Sequence, residues 1–145
     1  MAELAAPADV LPHRPPFLFV DEVVACTDAT ADGRWRLTGE EWFFGGHFPG
    51  RPTLPGVLMV EAIAQLGAYA VLASGRHPGK LPLFGGVDGV RFRRQVVPGD
   101  VLELHVELGR LSARAGRGTG TARVGDEIAC SAELLLVLVD ADAAG

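Results

Sequence analysis

Residues 56–75, "GVLMVEAIAQLGAYAVLASG", form a run of helical length that is apolar on nearly every side. Pro55 stands just ahead, where a first helical residue tolerates the loss of its N–H, and Gly75 closes the run. The spacing predicts a helix from Pro55 to Ala73. A helix without a polar face cannot rest on a surface and has to be wrapped, by protein or by lipid. The run approaches bilayer length, but Glu61 and Gln65 fall near its middle, and a carboxylate at mid-bilayer is costly. A core helix is therefore expected, with no membrane partner.

The rest of the chain supplies strands to wrap it. "PFLFVDEVVACTD" (Pro16 to Asp28), rich in Phe and Val, reads as a strand running into the polar turn "TDATADG", with "RWRLTGE" (Arg34 to Glu40) as its hairpin partner. "LFGGVDGVRFRRQVV" reads as a further strand ahead of a "PGD" turn at Pro98 to Asp100. In "VLELHVELG" the residues Leu102, Leu104, Val106 and Leu108 alternate with Glu103, His105 and Glu107, the mark of a sheet with one wet face. "GTGTARV" and "EIACSAELLLVLV" meet at Gly125 and Asp126, which suits a type II′ hairpin turn. Strands and helix segregated in this way predict an α+β fold in which a curved antiparallel sheet wraps one long central helix, the hotdog architecture. With 145 residues, a single domain over 1–145 is expected.

A net charge of −5 argues against a nucleic-acid partner, since phosphate binding needs a basic face. Cys26 and Cys130 have neither metal-ligand nor redox spacing and fit free thiols in a reducing cytosol. "MAELAAPADV" lacks a basic n-region, so no export is expected and the location is read as cytoplasmic. Neither a metal nor a nucleotide cofactor is expected, because there is no ligand cluster and no phosphate-cradling glycine loop.

The chemistry concentrates in "GGHFPGRPTLPGVLMVEAIAQ", residues 45–65. Glycines and prolines around His47 restrict its backbone and aim its ring, although a histidine that only hydrogen-bonds within a turn would look the same. Glu61 sits among Leu58, Met59, Val60, Ala62, Ile63 and Ala64, and only Gln65 shares its helical face with a polar group. Burial favours the neutral carboxyl, the form a general acid needs; a water-facing or arginine-paired Glu61 is the alternative. The unpaired N–H groups at the helix start, Gly56 first, carry partial positive charge able to polarise a carbonyl. A base, an acid and such an N–H suit proton abstraction α to a carbonyl with departure of a β-hydroxyl.

"HFPGRPTLPGVLMVEAIAQ" closely resembles the signature of the (3R)-hydroxyacyl acyl carrier protein dehydratases of the FabZ type. "LPHRPPFLFVDEV" and "FGGVDGVRFRRQVVPGD" resemble the same family in the same order, so the likeness covers roughly residues 10 to 138. It implies catalytic roles for His47 and Glu61, a thioester-orienting amide at Gly56, and a carbonyl holding the histidine ring near Thr53. It also implies a homodimer whose site pairs His47 with Glu61 of the partner subunit, often assembled into hexamers. The implied substrate is an acyl-phosphopantetheine on acyl carrier protein, in fatty-acid or polyketide synthesis. Glutamate rather than aspartate at position 61 favours the plain dehydratase over the dehydratase-isomerases.

Arg91, Arg93 and Arg94 read as a landing patch for an acidic carrier protein or as an ordinary solvated strand edge. Phe84 reads as a gate to the acyl tunnel or as a core aromatic. His13, His77 and His105 read as structural or exposed, and Phe43, Phe44 and Tyr69 as core. The rival functions are a hotdog acyl-thioesterase or acyl-CoA hydratase, and a non-catalytic acyl-binding subunit, for which His47 or Glu61 would be missing.

Overall fold

A computed structural model describes residues 4–142. After a short helix α1 (Pro7–Val10) come β1 (Glu22–Cys26), β2 (Thr30–Arg36), the long helix α2 (Gly56–Ala73), β3 (Lys80–Phe92), β4 (Val101–Leu111), β5 (Ala115–Val124) and β6 (Glu127–Asp140). All six strands join one antiparallel sheet in the order β1-β2-β4-β5-β6-β3, which leaves β1 and β3 at its edges.

The sheet wraps α2, as the apolar helix demands, and 67% of that helix lies buried. Leu102, Leu104 and Val106 of β4 pack inward beneath it, while Glu103, His105 and Glu107 face out. The approach is closest at β5, where a Cβ at Gly120 would overlap the Ile63 methyl, so only glycine seats the helix there. The helix ends at Ala73, with Gly75 following in a left-handed conformation (φ 71°). The β5–β6 loop has positive φ at Gly125 (58°) and not at Asp126, as a type II′ turn requires.

The first strands differ from the sequence reading. Pro16 to Val20 is extended but outside the sheet, and β1 starts only at Glu22. Its polar backbone is satisfied by a side chain instead: Phe19 N–H donates to Gln65 Oε1 (2.8 Å), and Gln65 Nε2 donates to Phe17 O (3.1 Å). The expected turn "TDATADG" shrinks to its first residues, because the Thr27 hydroxyl accepts the Ala29 and Thr30 N–H groups and reverses the chain early. Asp32 and Gly33 then enter β2, opposite His105 and Leu104. The short helix α1 carries no signal that the sequence reading used.

β6 departs from the alternation seen in β4. Leu134, Leu136 and Leu138 are buried inside, yet Leu135, Val137 and Val139 on the opposite face are apolar too.

Candidate active site

His47 is fixed by a closed loop. Thr53 N–H donates to His47 O (2.8 Å), Phe48 and Arg51 exchange backbone bonds (3.0 and 2.9 Å), and Gly50 takes the positive φ (75°) that this tight return needs. The His47 Nδ1 lies 2.7 Å from the Thr53 carbonyl. A carbonyl oxygen can only accept, so Nδ1 carries the proton and Nε2 holds the free lone pair. Phe43 and Phe44 anchor the other side, their carbonyls accepting the His47 N–H (3.1 and 3.3 Å), and the Phe48 ring stacks on the imidazole at 4.0 Å.

His47 opens into a cavity of about 590 Å³ shared with Thr53, Gly56, Phe92, Arg93 and Arg94. α2 begins here at Gly56 without a side-chain cap, one residue later than the sequence spacing predicts, so its first N–H groups lie at the cavity wall. Gly56 is held to glycine by contact, since a Cβ would stand 2.8 Å from Cε1 of Phe92. Phe92 escaped the sequence reading because its neighbour across the cavity lies thirty-six positions away in the chain; its isolation among the arginines of "RFRR" was the only signal.

Glu61 lies in the second turn of α2, half-buried, and lines a different, smaller cavity of about 160 Å³ with His13, Gln65, Phe84 and Leu136. Burial pushes its carboxyl above the ordinary glutamate range, partly offset by Gln65, whose Nε2 donates to Glu61 Oε2 (3.2 Å). Gln65 is only 1% exposed and also bridges Phe17 and Phe19, so one buried amide fixes both the carboxylate and the segment packed over it. The sequence reading saw only that Gln65 shares a helical face with Glu61. The same segment is held from the side of the histidine loop by Trp42, whose Nε1 donates to Pro16 O (3.2 Å).

Replacing Gln65 with leucine leaves the Phe19 N–H and the Phe17 carbonyl without partners. It should lower stability by about 2–4 kcal/mol, two unsatisfied groups at about 1–2 kcal/mol each. Thermal unfolding measured beside turnover is the check; an unchanged melting temperature would show that the bridge is dispensable.

Within one chain His47 and Glu61 thus face separate cavities. Phe84 sits with Glu61, at the β3 edge opposite Leu136. His13, read as structural or exposed, also lines the Glu61 cavity, with Nδ1 buried and unpartnered and its pKa lowered by burial. The prolines on either side of "HR" in "LPHRPP" resemble the setting of His47 and were the available signal. Of the three arginines, Arg94 is committed to Glu127 (3.3 Å) and Asp100 (3.8 Å). Arg91 and Arg93 are exposed, and among the described residues neither has an acidic partner.

Residues 11–133 match the family model for a FabA-like domain. The 3-hydroxyacyl acyl-carrier-protein dehydratase FabZ of Moorella thermoacetica is 53% identical over 130 residues, covering 89% of this chain and 91% of that protein. The FabZ dehydratase of Chloroflexus aggregans is 48% identical over 132 residues, covering 90% of this chain and 92% of its own. Among solved structures, a chain of the dehydratase heterocomplex ApeI:P from Xenorhabdus doucetiae superposes with a TM-score of 0.78 at 17% identity, over 97% of this chain and 95% of that one, which marks a shared fold. With the hotdog sheet around its central helix, the matched domain and this level of identity to full-length relatives, the chain belongs to the FabA-like family.

Proposed function

We propose that this protein dehydrates (3R)-hydroxyacyl thioesters carried on acyl carrier protein to trans-2-enoyl thioesters, in the cytoplasm, as part of fatty-acid synthesis. The observation that carries this reading is the pinned imidazole: its Nδ1–H is spent on Thr53, so Nε2 faces the cavity at the uncapped helix start as a base. Nε2 removes a proton from C2, and the electron pair forms the C2–C3 double bond as the C3 hydroxyl leaves. A protonated carboxyl delivers its proton to that hydroxyl, which departs as water. The Gly56 N–H and the helix dipole stabilise charge gathering on the thioester oxygen.

The separation of the two cavities supports a site completed by a second chain, His47 working with Glu61 of the partner subunit. β3 is suited to that contact, an edge strand whose Leu83, Phe84, Val87 and Phe92 are all exposed. A dimer is the smallest assembly this reading allows, and one domain per chain is enough. Ultraviolet absorbance of the conjugated enoyl product, followed with purified protein and a hydroxyacyl thioester, tests the activity. Release of free thiol without enoyl product would overturn it in favour of thioester hydrolysis.

Arg93, which lines the His47 cavity, and exposed Arg91 two positions before it offer a docking surface for the acidic carrier. Changing both to alanine should raise KM for carrier-bound substrate about tenfold, as expected for losing two exposed charge contacts, and leave a short thioester mimic nearly untouched. Equal losses on both substrates would make them structural. Arg94→Ala should behave differently, losing stability through Glu127 and Asp100.

A further inference from the structure

The Glu61 cavity holds one polar atom that neither the fold nor the mechanism uses. His13 Nδ1 is buried against it and, among the described residues, makes no hydrogen bond. Leaving a buried polar group unmatched is costly, so such an atom calls for an account. The ring owes its place to its backbone, which is fixed from both sides. Leu11 is buried ahead of it, the Arg14 guanidinium folds back to donate to Leu11 O (2.8 Å) and His13 O (2.7 Å), and Phe17 N–H donates to Arg14 O (2.9 Å). Burial lowers the His13 pKa and favours the neutral ring, in which one nitrogen is an acceptor.

The other polar groups of this cavity are few. Gln65 is spent: its Oε1 accepts the Phe19 N–H, and its Nε2 donates to Phe17 O and to Glu61 Oε2. That last bond makes Oε2 the accepting oxygen of a protonated carboxyl and leaves the proton to Oε1. Much of the remaining wall is apolar, Ala64, Ala68, Pro82 and Leu136 among it. A polar guest therefore meets one donor, Glu61 Oε1–H, and one acceptor, His13 Nδ1. A hydroxyl, with one hydrogen and two lone pairs, matches both, and about 160 Å³ gives it room.

We propose that His13 orients the departing hydroxyl of the substrate, its Nδ1 accepting the C3 hydroxyl hydrogen while Glu61 of the same chain presents its proton to the oxygen. This role rests on the dehydration proposed above. With its hydrogen held by His13, the hydroxyl turns a lone pair to the Glu61 proton. As His47 Nε2 takes the C2 proton and the electron pair forms the C2–C3 double bond, the C3–O bond breaks and the Glu61 proton joins the oxygen. The water so formed carries two hydrogens and finds two acceptors, His13 Nδ1 and the Glu61 carboxylate left behind.

A leaving group without a hydrogen tests this. Chloride departs from a 3-chloroacyl thioester with no O–H to orient and no proton to receive, yet it yields the same enoyl product, read by the same ultraviolet absorbance. His13→Leu should slow a short 3-hydroxyacyl thioester about tenfold to 100-fold, the range for a buried hydroxyl hydrogen left without an acceptor, and change 3-chloroacyl turnover less than about twofold. His13→Asn, whose Oδ1 stands near the Nδ1 position, should return the hydroxyacyl rate to within about threefold of wild type. If His13→Leu fails to fold, His13→Gln takes its place, since its amide reaches past that position and should show the same selective loss. Equal losses on both substrates, or a hydroxyacyl rate that His13→Leu leaves unchanged, would overturn this role alone. Wild type that forms no enoyl product from the hydroxyacyl thioester would overturn the dehydratase reading and this role with it.

Discussion

Glu61→Gln should leave the fold intact and slow dehydration by about 100-fold to 10,000-fold, the range for losing a positioned general acid. Glutamine has nearly the same volume and still accepts the Gln65 amide proton, so the bridge to Phe17 and Phe19 survives. What disappears is the acid proton that the proposed mechanism delivers to the leaving hydroxyl. The change also removes the burial penalty on a carboxylate, so the variant should be at least as stable as wild type in neutral solution. Because burial raises the Glu61 pKa, its protonated form persists above the ordinary glutamate range. The contribution of that carboxyl to folding is complete below its unfolded pKa and lost as pH rises through the raised folded value. Turnover should fall along the same limb, which Glu61→Gln abolishes. Retention of more than about a third of wild-type turnover would sink the mechanism, being too small a loss for a missing acid.

His47→Ala should be at least as damaging, and the double variant scarcely worse than the more damaged single one, since groups that act as a unit do not add. Mixing the two inactive variants gives the sharper result. After subunit exchange at equal amounts, half of the dimers combine one chain of each kind. One of the two sites in each such dimer then holds His47 from one chain and Glu61 from the other. Activity should return to about a quarter of wild type, half of the dimers with half of their sites intact. No recovery despite verified exchange would mean that both residues serve a site within one chain, against the separate cavities seen for His47 and Glu61.

Much of this was legible in the sequence, for reasons that differ by element. α2 could be bounded because its signals are local: a proline before it, a glycine after it, and apolar residues on every side between. β4 declared its inward face by strict alternation, and Gly125 declared its turn by the one residue type that takes positive φ cheaply. Pro16 to Val20 misled because its composition is that of a strand, while the group that satisfies its backbone, Gln65, lies more than forty positions away. The partners of Arg94 were hidden for the same reason, Glu127 being brought close only when β6 folds back along β3. The pattern placed His47 and Glu61 near the start of one helix, but whether they share a cavity depends on ring and side-chain directions that spacing does not contain. The family resemblance supplied that pairing, as an expectation.

The tether from His47 Nδ1 to the Thr53 carbonyl has a stereochemical consequence. A ring held at one nitrogen cannot swing to present the other, so Nε2 reaches a bound acyl chain from a single side. Of the two hydrogens on C2 that differ only in handedness, one is removed and the other stays. Run backwards in heavy water, with an enoyl thioester as substrate, the enzyme should therefore write one deuterium into C2 of the hydroxy product, always on the same face.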